Sequence, residues 1–330
     1  MKRKTLRILI FAMVLLPLLA ALGGRLYLQN GIKPLPKGEP VTVRFDKGQG
    51  LGAVLEELEK KGVLRSAEMA RLALRLQGKS PTVGEGTYRF RPGMTLDEIL
   101  MSLKRPVAQP VRLPEGWWIA RTARRLEEMG VCKAEEYIEL ANQPEKFADV
   151  VDFPLPKDSL EGYLFPDTYD LPPLLGARGT IVRQLKNFER RVWPKVKGRD
   201  VHRILTIASM VETEVKVDAE RPLVAGLIEE RLRRRMRLQI DATVLYALQE
   251  WKNLGPGVVN SVDHPYNTYR ISGLPPGPIG SPGLKSIEAA LKPTPTRKLF
   301  YVAKPDGTHF FSETYDQHLV NIRRARSMTR

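Results

Sequence analysis

Two glutamates inside a strongly apolar stretch, Ile204-Leu-Thr-Ile-Ala-Ser-Met-Val-Glu-Thr-Glu-Val215, have the types and spacing best suited to proton chemistry in this chain. The stretch reads as a helix. At about 100° per residue its apolar positions 204, 205, 207, 208, 210, 211 and 215 fill one broad arc, and Glu212 and Glu214 fall within it on opposite flanks, about 200° apart. Neither sits on a polar face. A carboxyl group in apolar surroundings is disfavoured as an anion, so it keeps its proton nearer neutrality and can serve as a general acid. Cleavage of a glycosidic bond needs such a group. The same residues could instead be held in ion pairs with arginine, and Arg221 and the run Arg231, Arg233, Arg234, Arg235 and Arg237 supply the partners. Helix geometry alone chooses neither between the two roles nor between the two residues.

Asp241 precedes the apolar run Ala242 to Leu248, and its expected structural role is an N-cap accepting backbone N–H groups. Further on, Tyr266-Asn-Thr-Tyr269 leads into Gly273-Leu-Pro-Pro-Gly-Pro-Ile-Gly-Ser-Pro-Gly283, too rich in glycine and proline for a helix or a central strand. This is a long ordered loop. Aromatic faces and amides beside it suit sugar rings, and turn formation explains the same composition. His202, His264, His309 and His318 are scattered and form no HExxH pattern or cysteine cluster, so no metal is expected. No phosphate-binding glycine loop is present, and no cofactor is expected.

The elements that must carry these residues begin with an export signal. Met1 to Arg7 is basic, and Ile8 to Gly24 then runs for 17 residues without a charge. As helix this stretch rises roughly 25 Å, near the lower limit for a bilayer core of roughly 30 Å. Basic residues before it place the N-terminus in the cytoplasm and the body outside. Ala21-Leu-Gly23 also satisfies a small-x-small cleavage site, and both readings deliver the body to the outer face of the cytoplasmic membrane. A formal net charge of +16 invites a nucleic-acid reading. Export argues against it, and no nucleic-acid partner is expected; lipid head groups and wall polymers are the polyanions outside. For residues 231 to 237 the alternative is a solvated basic helix face. The lone cysteine, Cys132, cannot form an internal disulfide, so stability must come from packing. With 330 residues, 42% of them hydrophobic and 27% charged, the chain has material for two folded parts.

After a proline-punctuated tether ending at Pro40, Val41 to Phe45 alternates as a strand, and Leu51, Val54, Leu55 and Leu58 have helical spacing. Ser66 caps a second helix to Leu76, and Gly86 to Phe90 alternates again. This strand-helix-helix-strand order resembles the LysM module, a small glycan-binding fold. Thr95 caps a short helix, Val111 to Leu113 is a strand candidate, and Ile119 to Met129 is helical. Pro222 suits the first turn of a helix with Leu223, Val224, Leu227, Ile228 and Leu232 as its buried stripe. Leu284 to Leu291 reads as helix, Leu299 to Ala303 and Thr308 to Ser312 as a hairpin turning at Asp306-Gly307, and Glu313 to Arg326 as a closing helix.

Five motifs occur in a fixed order: Leu160-Glu-Gly-Tyr-Leu-Phe-Pro-Asp-Thr-Tyr169, Ala208-Ser-Met-Val-Glu-Thr-Glu214, Arg237-Leu-Gln-Ile-Asp-Ala-Thr243, Tyr266-Asn-Thr-Tyr269 and Gly273-Leu-Pro-Pro-Gly277. Together they resemble the YceG-like (MltG) endolytic murein transglycosylases over essentially the whole chain. The resemblance implies an α+β fold with an N-terminal transmembrane helix, a LysM-like βααβ module and a mixed α/β catalytic domain. The expected limits are a cytoplasmic tail at 1–7, an anchor at 8–25, a linker at 26–40, the LysM-like part at 41–105, a helical connection at 106–150 and the catalytic domain at 151–330. It also implies a lytic, non-hydrolytic cut between N-acetylmuramic acid and N-acetylglucosamine that leaves a 1,6-anhydro end. Peptidoglycan strands, the membrane and penicillin-binding wall synthases are the implied partners. In that family the alanine-serine helix ends in glutamate, lysine, glutamate, and the second glutamate, here Glu214, carries catalysis, with Glu212 in reserve. Gln239, Asp241, Thr243, Asn267 and Tyr269 are the implied substrate-positioning residues. Thr213 replaces the usual lysine, and Ile240 and Ala242 replace threonine and proline around Asp241. A hydrolase using Glu214 with Asp241 or Glu212, or a glycan-binding scaffold without chemistry, are the alternatives.

Overall fold

A computed structural model describes residues 2–252, 254–255 and 257–328, the side chains of residues 2–10 excepted. Met1 and the basic side chains of Lys2, Arg3, Lys4 and Arg7, on which the expected orientation of the N-terminus rests, lie outside the described residues. The chain forms two compact units, residues 1–109 with 172–175, and residues 110–171 with 176–330.

The first unit comprises α1 (Lys2–Gly31), β1 (Val41–Phe45), α2 (Leu51–Lys60), α3 (Ala67–Leu76), β2 (Gly86–Phe90) and α4 (Leu96–Ser102). Within α1, Phe11–Gly31 is 21 residues long with a mean hydropathy of 1.8, long and apolar enough to cross a membrane. The helix, which contains Pro17, runs on through residues 26–31, the start of the segment expected as a tether, and no further proline occurs until Pro34. Strands β1 and β2 pair antiparallel with Val41 opposite Phe90. Their inward residues Phe45, Tyr88 and Phe90 pack ring against ring, 5.7 to 6.4 Å apart, over Val54, Leu55 and Leu58 of α2 and Leu74 of α3. Burying each such side chain stabilises by about 1.5–3 kcal/mol. The expected caps are in place: Ser66 Oγ accepts from the Met69 N–H, and Thr95 forms a capping box with Glu98.

The second unit comprises β3 (Pro110–Leu113), α5 (Ile119–Glu128), α6 (Ala134–Ala141), β4 (Asp167–Asp170), α7 (Ala177–Arg191), α8 (Trp193–Val196) and α9 (Val201–Glu214), followed by α10 (Arg221–Arg233), α11 (Asp241–Leu248), α12 (Val258–Ser261), α13 (Leu284–Leu291), β5 (Phe300–Ala303), β6 (His309–Ser312) and α14 (Tyr315–Ser327). Its strands form two antiparallel ribbons, β3 with β4 and β5 with β6. The β5–β6 turn is closed by Gly307 at φ +84°, and Lys304 N–H donates to Thr308 O. The centre of the unit is α9, whose Leu205, Ile207, Ala208, Met210 and Val211 are buried and which packs against α10, α11 and α13.

Helix α10 closes on the chain after α13 at a glycine. A Cβ on Gly226 would overlap the carbonyl oxygen of Thr294, whose own N–H donates to Pro222 O over 2.9 Å. Only glycine lets the backbones approach this closely. We expect Gly226→Ala to cost about 1–3 kcal/mol or more, read as a lowered midpoint of chemical unfolding; an unchanged midpoint would show that this contact can relax.

Candidate active site

The helix that carries both glutamates is fixed at each end and along one side. Asp200 caps α9 by accepting from the Arg203 N–H at 3.0 Å. Midway, buried Ser209 donates to Thr206 O at 2.8 Å and accepts from the Ile279 N–H at 3.0 Å, which ties the glycine- and proline-rich loop to the helix. Across that loop, Gly116 N–H donates to Ser281 O and Ser281 N–H to Trp117 O. The loop is therefore a packed clamp, with residues 277–283 buried. At the far end the helix stops at Glu214, because Val215 is extended. Thr213, at the position where lysine is usual in the resembling family, turns back to donate to Met210 O at 2.9 Å.

The two glutamates face different surroundings, as their opposite flanks require. Glu212 is held by a buried ion pair: Arg221 Nη1 lies 3.0 Å from its Oε1, and the Gly283 N–H donates to its Oε2 at 2.9 Å. Arg221 is itself shared with Asp218. The arginine-paired alternative thus describes Glu212.

Glu214 has no Lys, Arg or His within ion-pair distance among the described residues, and it accepts one hydrogen bond, from Tyr301 Oη of β5 at 2.6 Å. The residue is partly exposed, and the protein atoms around its carboxyl group desolvate it. Desolvation raises its pKa; the Tyr301 hydrogen bond opposes that, nearby Asp241 adds to it, and His309 and Arg231 pull it down. A carboxyl so placed can keep a proton, give it up and take it back. Because Tyr301 stabilises the ionised form, Tyr301→Phe should raise the Glu214 pKa further. The basic limb of the pH–rate profile, where a required acid is lost, then moves to higher pH; a limb that stays put would separate Tyr301 from the acid.

Asp241 comes near Glu214 by a route other than the expected cap. Ile240, in extended conformation, occupies the cap position, so Asp241 opens α11 and its carboxylate accepts a short hydrogen bond from Tyr269 Oη. Tyr269 is set by Asn267, which accepts from the Tyr269 N–H at 3.0 Å and donates to Val259 O and Val262 O at 2.7 Å each. Asn267 is fully buried and spends its amide on this turn. Thr243 is likewise fully buried, donating to Ile240 O at 2.7 Å beside Thr268 Oγ1. Gln239 is exposed, with a left-handed φ of +52° and its N–H donating to Thr268 O. Of the five residues, Asp241 and Tyr269 are gathered around Glu214, while Asn267, Thr243 and the Gln239 backbone hold the loop that positions them.

One residue of this cluster, Tyr301, was not singled out by sequence, having no signal beyond an aromatic in an alternating strand. Arg231 departs from the solvated basic face read as one alternative for its run: it is 6% exposed, its Nε donates to Leu299 O at 2.6 Å, and its guanidinium lies 5.4 Å from the Phe300 ring centre. It anchors the start of β5, and so Tyr301. Arg233 and Arg234 do form an exposed pair around Glu230.

A cleft of about 660 Å³ opens on the Glu212 flank, lined among others by Arg112, Asp167, Arg191, Arg221 and Lys285; Glu214 is not among its lining residues. A second cleft, of about 530 Å³, lies at the start of α9 beside Glu161 and Tyr266. Among the described residues no cluster of three or more His, Cys, Asp or Glu could hold a metal ion.

A desolvated carboxyl with a tyrosine donor and no ion-pair partner among the described residues, on a loop-clamped helix of an α+β unit, is the equipment of an acid–base enzyme. Residues 43–324 match the YceG-like family, and the chain belongs to it. It is 30% identical over 321 residues to the endolytic murein transglycosylase of Bacillus subtilis, covering 90% of this chain and 88% of that protein. The protein of the same name from Streptococcus pneumoniae strain D39 is 28% identical over 350 aligned positions; the alignment covers 94% of this chain and 63% of that longer relative. The 2.6 Å crystal structure of a YceG-like protein from Listeria monocytogenes superposes with a TM-score of 0.57 at 30% identity, covering 86% of this chain and 99% of that one.

Proposed function

We propose that this chain is an anchored endolytic transglycosylase that cuts peptidoglycan glycan strands internally, with Glu214 as both acid and base. The observation that carries the residue assignment is the contrast on one helix: Glu212 is paired with Arg221 and bonded by the Gly283 N–H, while Glu214 is desolvated, without an ion-pair partner among the described residues, and bonded to Tyr301. In the first step the protonated Glu214 gives its proton to the glycosidic oxygen as the bond to C1 of the muramyl residue breaks, releasing N-acetylglucosamine with a free 4-hydroxyl. In the second the Glu214 carboxylate takes the proton of the muramyl 6-hydroxyl as that oxygen bonds to C1. The glutamate ends protonated, no water is consumed, and the new end is a 1,6-anhydro sugar. One carboxyl suffices, unlike the paired acids of ordinary glycoside hydrolases. Asp241 and Tyr269 would orient the sugar from the α11 side.

The remaining elements fit a wall-facing enzyme. The apolar helix would hold the chain in the cytoplasmic membrane with its N-terminus inside and residues 41–330 outside, close to newly made strands and the synthases that extend them. The βααβ part of the first unit would act as a LysM-like glycan contact, and residues 151–330 would carry the catalytic machinery.

Mass spectrometry of un-crosslinked glycan strands treated with the full-length protein in detergent, beside its Glu214→Gln variant, tests the reading. Anhydro ends made by the wild type and absent with the folded variant are the expected result. Products heavier by one water would replace it with hydrolysis, and uncut strands would leave a scaffold.

A further inference from the structure

Helix α1 enters the first unit without a spacer. Ile32 N–H donates to Leu28 O at 3.1 Å and Lys33 N–H to Asn30 O at 3.3 Å, so the helix turns off only at Gly31. There it meets α3: a Cβ on Gly31 would overlap Cβ and Cγ of Met69, an approach that glycine permits. Gly31, Ile32 and Pro34 also line one narrow crevice with Val63, Leu64 and Ala70. The end of the apolar helix is therefore packed into the fold of this unit. The segment Phe11–Gly31 rises roughly 30 Å, the thickness of a bilayer core. Tyr27, 71% exposed, lies one turn before its end, and tyrosines mark the head-group level. Gly31, with Met69 packed on it, is roughly 6 Å further along the axis, and a head-group layer is about 5–7 Å deep.

On α3, Met69, Leu72 and Leu76 stand at i, i+3 and i+7, within about 60° of one another. Met69 meets α1, so the two leucines leave α3 on the side of that contact. They are nevertheless 41% and 70% exposed, while Ala70, Ala73 and Leu74 take the buried arc. Cations surround the stripe. Arg71 and Arg75 stand on α3 against one acid, Glu68, and Lys33 and Arg65 line the crevice at Gly31. Arg71 is held by Glu56 at 2.7 Å, whereas Lys33, Arg65 and Arg75 have no ion-pair partner among the described residues. An apolar stripe flanked by free cations matches an anionic lipid surface, whose head groups meet the cations while the leucines reach the top of the acyl chains.

We propose that the Met69–Leu72–Leu76 face of α3 docks on the surface of the same membrane that α1 crosses, with Lys33, Arg65 and Arg75 on anionic lipid head groups. The inference rests on the reading of α1 as an anchor. Lipid is the occupant because the stripe continues from the surface of α1, where Leu22 and Leu26 are also exposed, through the Gly31–Met69 contact. The βααβ part would then be held at a set height above the membrane instead of swinging on a tether.

The test puts one reporter tryptophan in the full-length chain, reconstituted in nanodiscs of phosphatidylglycerol or of phosphatidylcholine, with and without lipid brominated near the top of its acyl chains. Emission is read against the unsubstituted chain, whose four tryptophans all lie in the second unit. The Leu76→Trp chain should emit blue-shifted and be quenched by brominated phosphatidylglycerol, and less by brominated phosphatidylcholine, which has no net charge. Arg89→Trp, on the exposed side of β2, should stay unquenched. Adding Leu72→Ser, or Arg65→Gln with Arg75→Gln, to Leu76→Trp should lower the quenching, each lost cation weakening the docked state by about fivefold. Tyr27→Trp, on α1, should be quenched with or without those changes. Quenching at position 27 without quenching at position 76 overturns the docking and leaves the anchor standing. A blue-shifted but unquenched Leu76→Trp chain means that protein, such as a second copy, covers the stripe, and overturns it too. Equal quenching in the two lipids overturns the contact with anionic head groups. No quenching at either position removes the anchor, and the docking with it.

Discussion

Glu214→Gln should lower the rate of strand cleavage by roughly 10²- to 10⁴-fold, the usual contribution of a positioned acid and base, with thermal stability unchanged or slightly raised. The stability side follows from the surroundings: burial disfavours the Glu214 carboxylate, so an uncharged amide of the same shape relieves a cost and can keep the Tyr301 hydrogen bond through its oxygen. Glu212→Gln should do the reverse. Its partner Arg221 has only 11% of its side chain exposed and would keep half-exposed Asp218 but lose its more buried anion. Losing a hydrogen bond between charged groups costs about 1.5–3 kcal/mol, seen as a fall in melting temperature, while the activity of the protein that remains folded persists. Cleavage rates and melting curves of the two variants side by side discriminate. Were Glu212→Gln to abolish cleavage with stability intact, and Glu214→Gln to leave cleavage unaffected, the assignment would be exchanged.

What the sequence could convey about this pair divides at the point where local geometry ends. The 100° helical period places Glu212 and Glu214 on opposite flanks, and in the structure they do turn to different partners. Those partners are distant in the chain: Gly283 and Tyr301 reach α9 only once α13 and the β5–β6 hairpin have packed against it. No spacing within residues 204–215 encodes that. The same division runs through the fold. Ser66, Thr95 and Asp306-Gly307 mark their helices and turn because caps and hairpins are made by residues a few positions apart. Strand β4, Asp-Thr-Tyr-Asp, carries no strand signature, since only Tyr169 of the four is buried, and it exists because β3 supplies the opposite edge. Asp241 shows a finer version. Aspartate before an apolar run suggests a cap, but Ile240 enters the helix extended, and the one-residue shift frees the Asp241 carboxylate to meet Tyr269. Glu161 lay within a motif whose aromatic residues were easier to read than its acid, and its lack of a partner for Oε1 is visible only with Ile119, Tyr246 and the cleft in place.

The buried Glu161 also leaves a signature in stability. Its carboxyl has a pKa raised from an ordinary 4.5 to about 8, chiefly by burial, with the Ile119 N–H, Tyr246 Oη and the neighbouring Gly162 N–H opposing the rise. Between those two values the folded chain holds a proton that the unfolded chain has released, so folding takes up a proton and stability falls as pH rises. Below about pH 4.5 both states are protonated and the cost vanishes; above about 8 both are ionised and the cost is constant. At about 1.36 kcal/mol per pH unit, the penalty reaches about 3 kcal/mol at pH 7. Glu161→Gln cannot ionise, and its amide oxygen can still accept from the Ile119 N–H. Its melting temperature should therefore match the wild type near pH 4 and exceed it by a margin that widens to about pH 8 and then holds. Thermal melts of both proteins across pH 4 to 9 give the whole curve. A margin independent of pH would mean that burial does not hold the proton on Glu161, its charge being met instead by the Ile119 N–H at the start of α5.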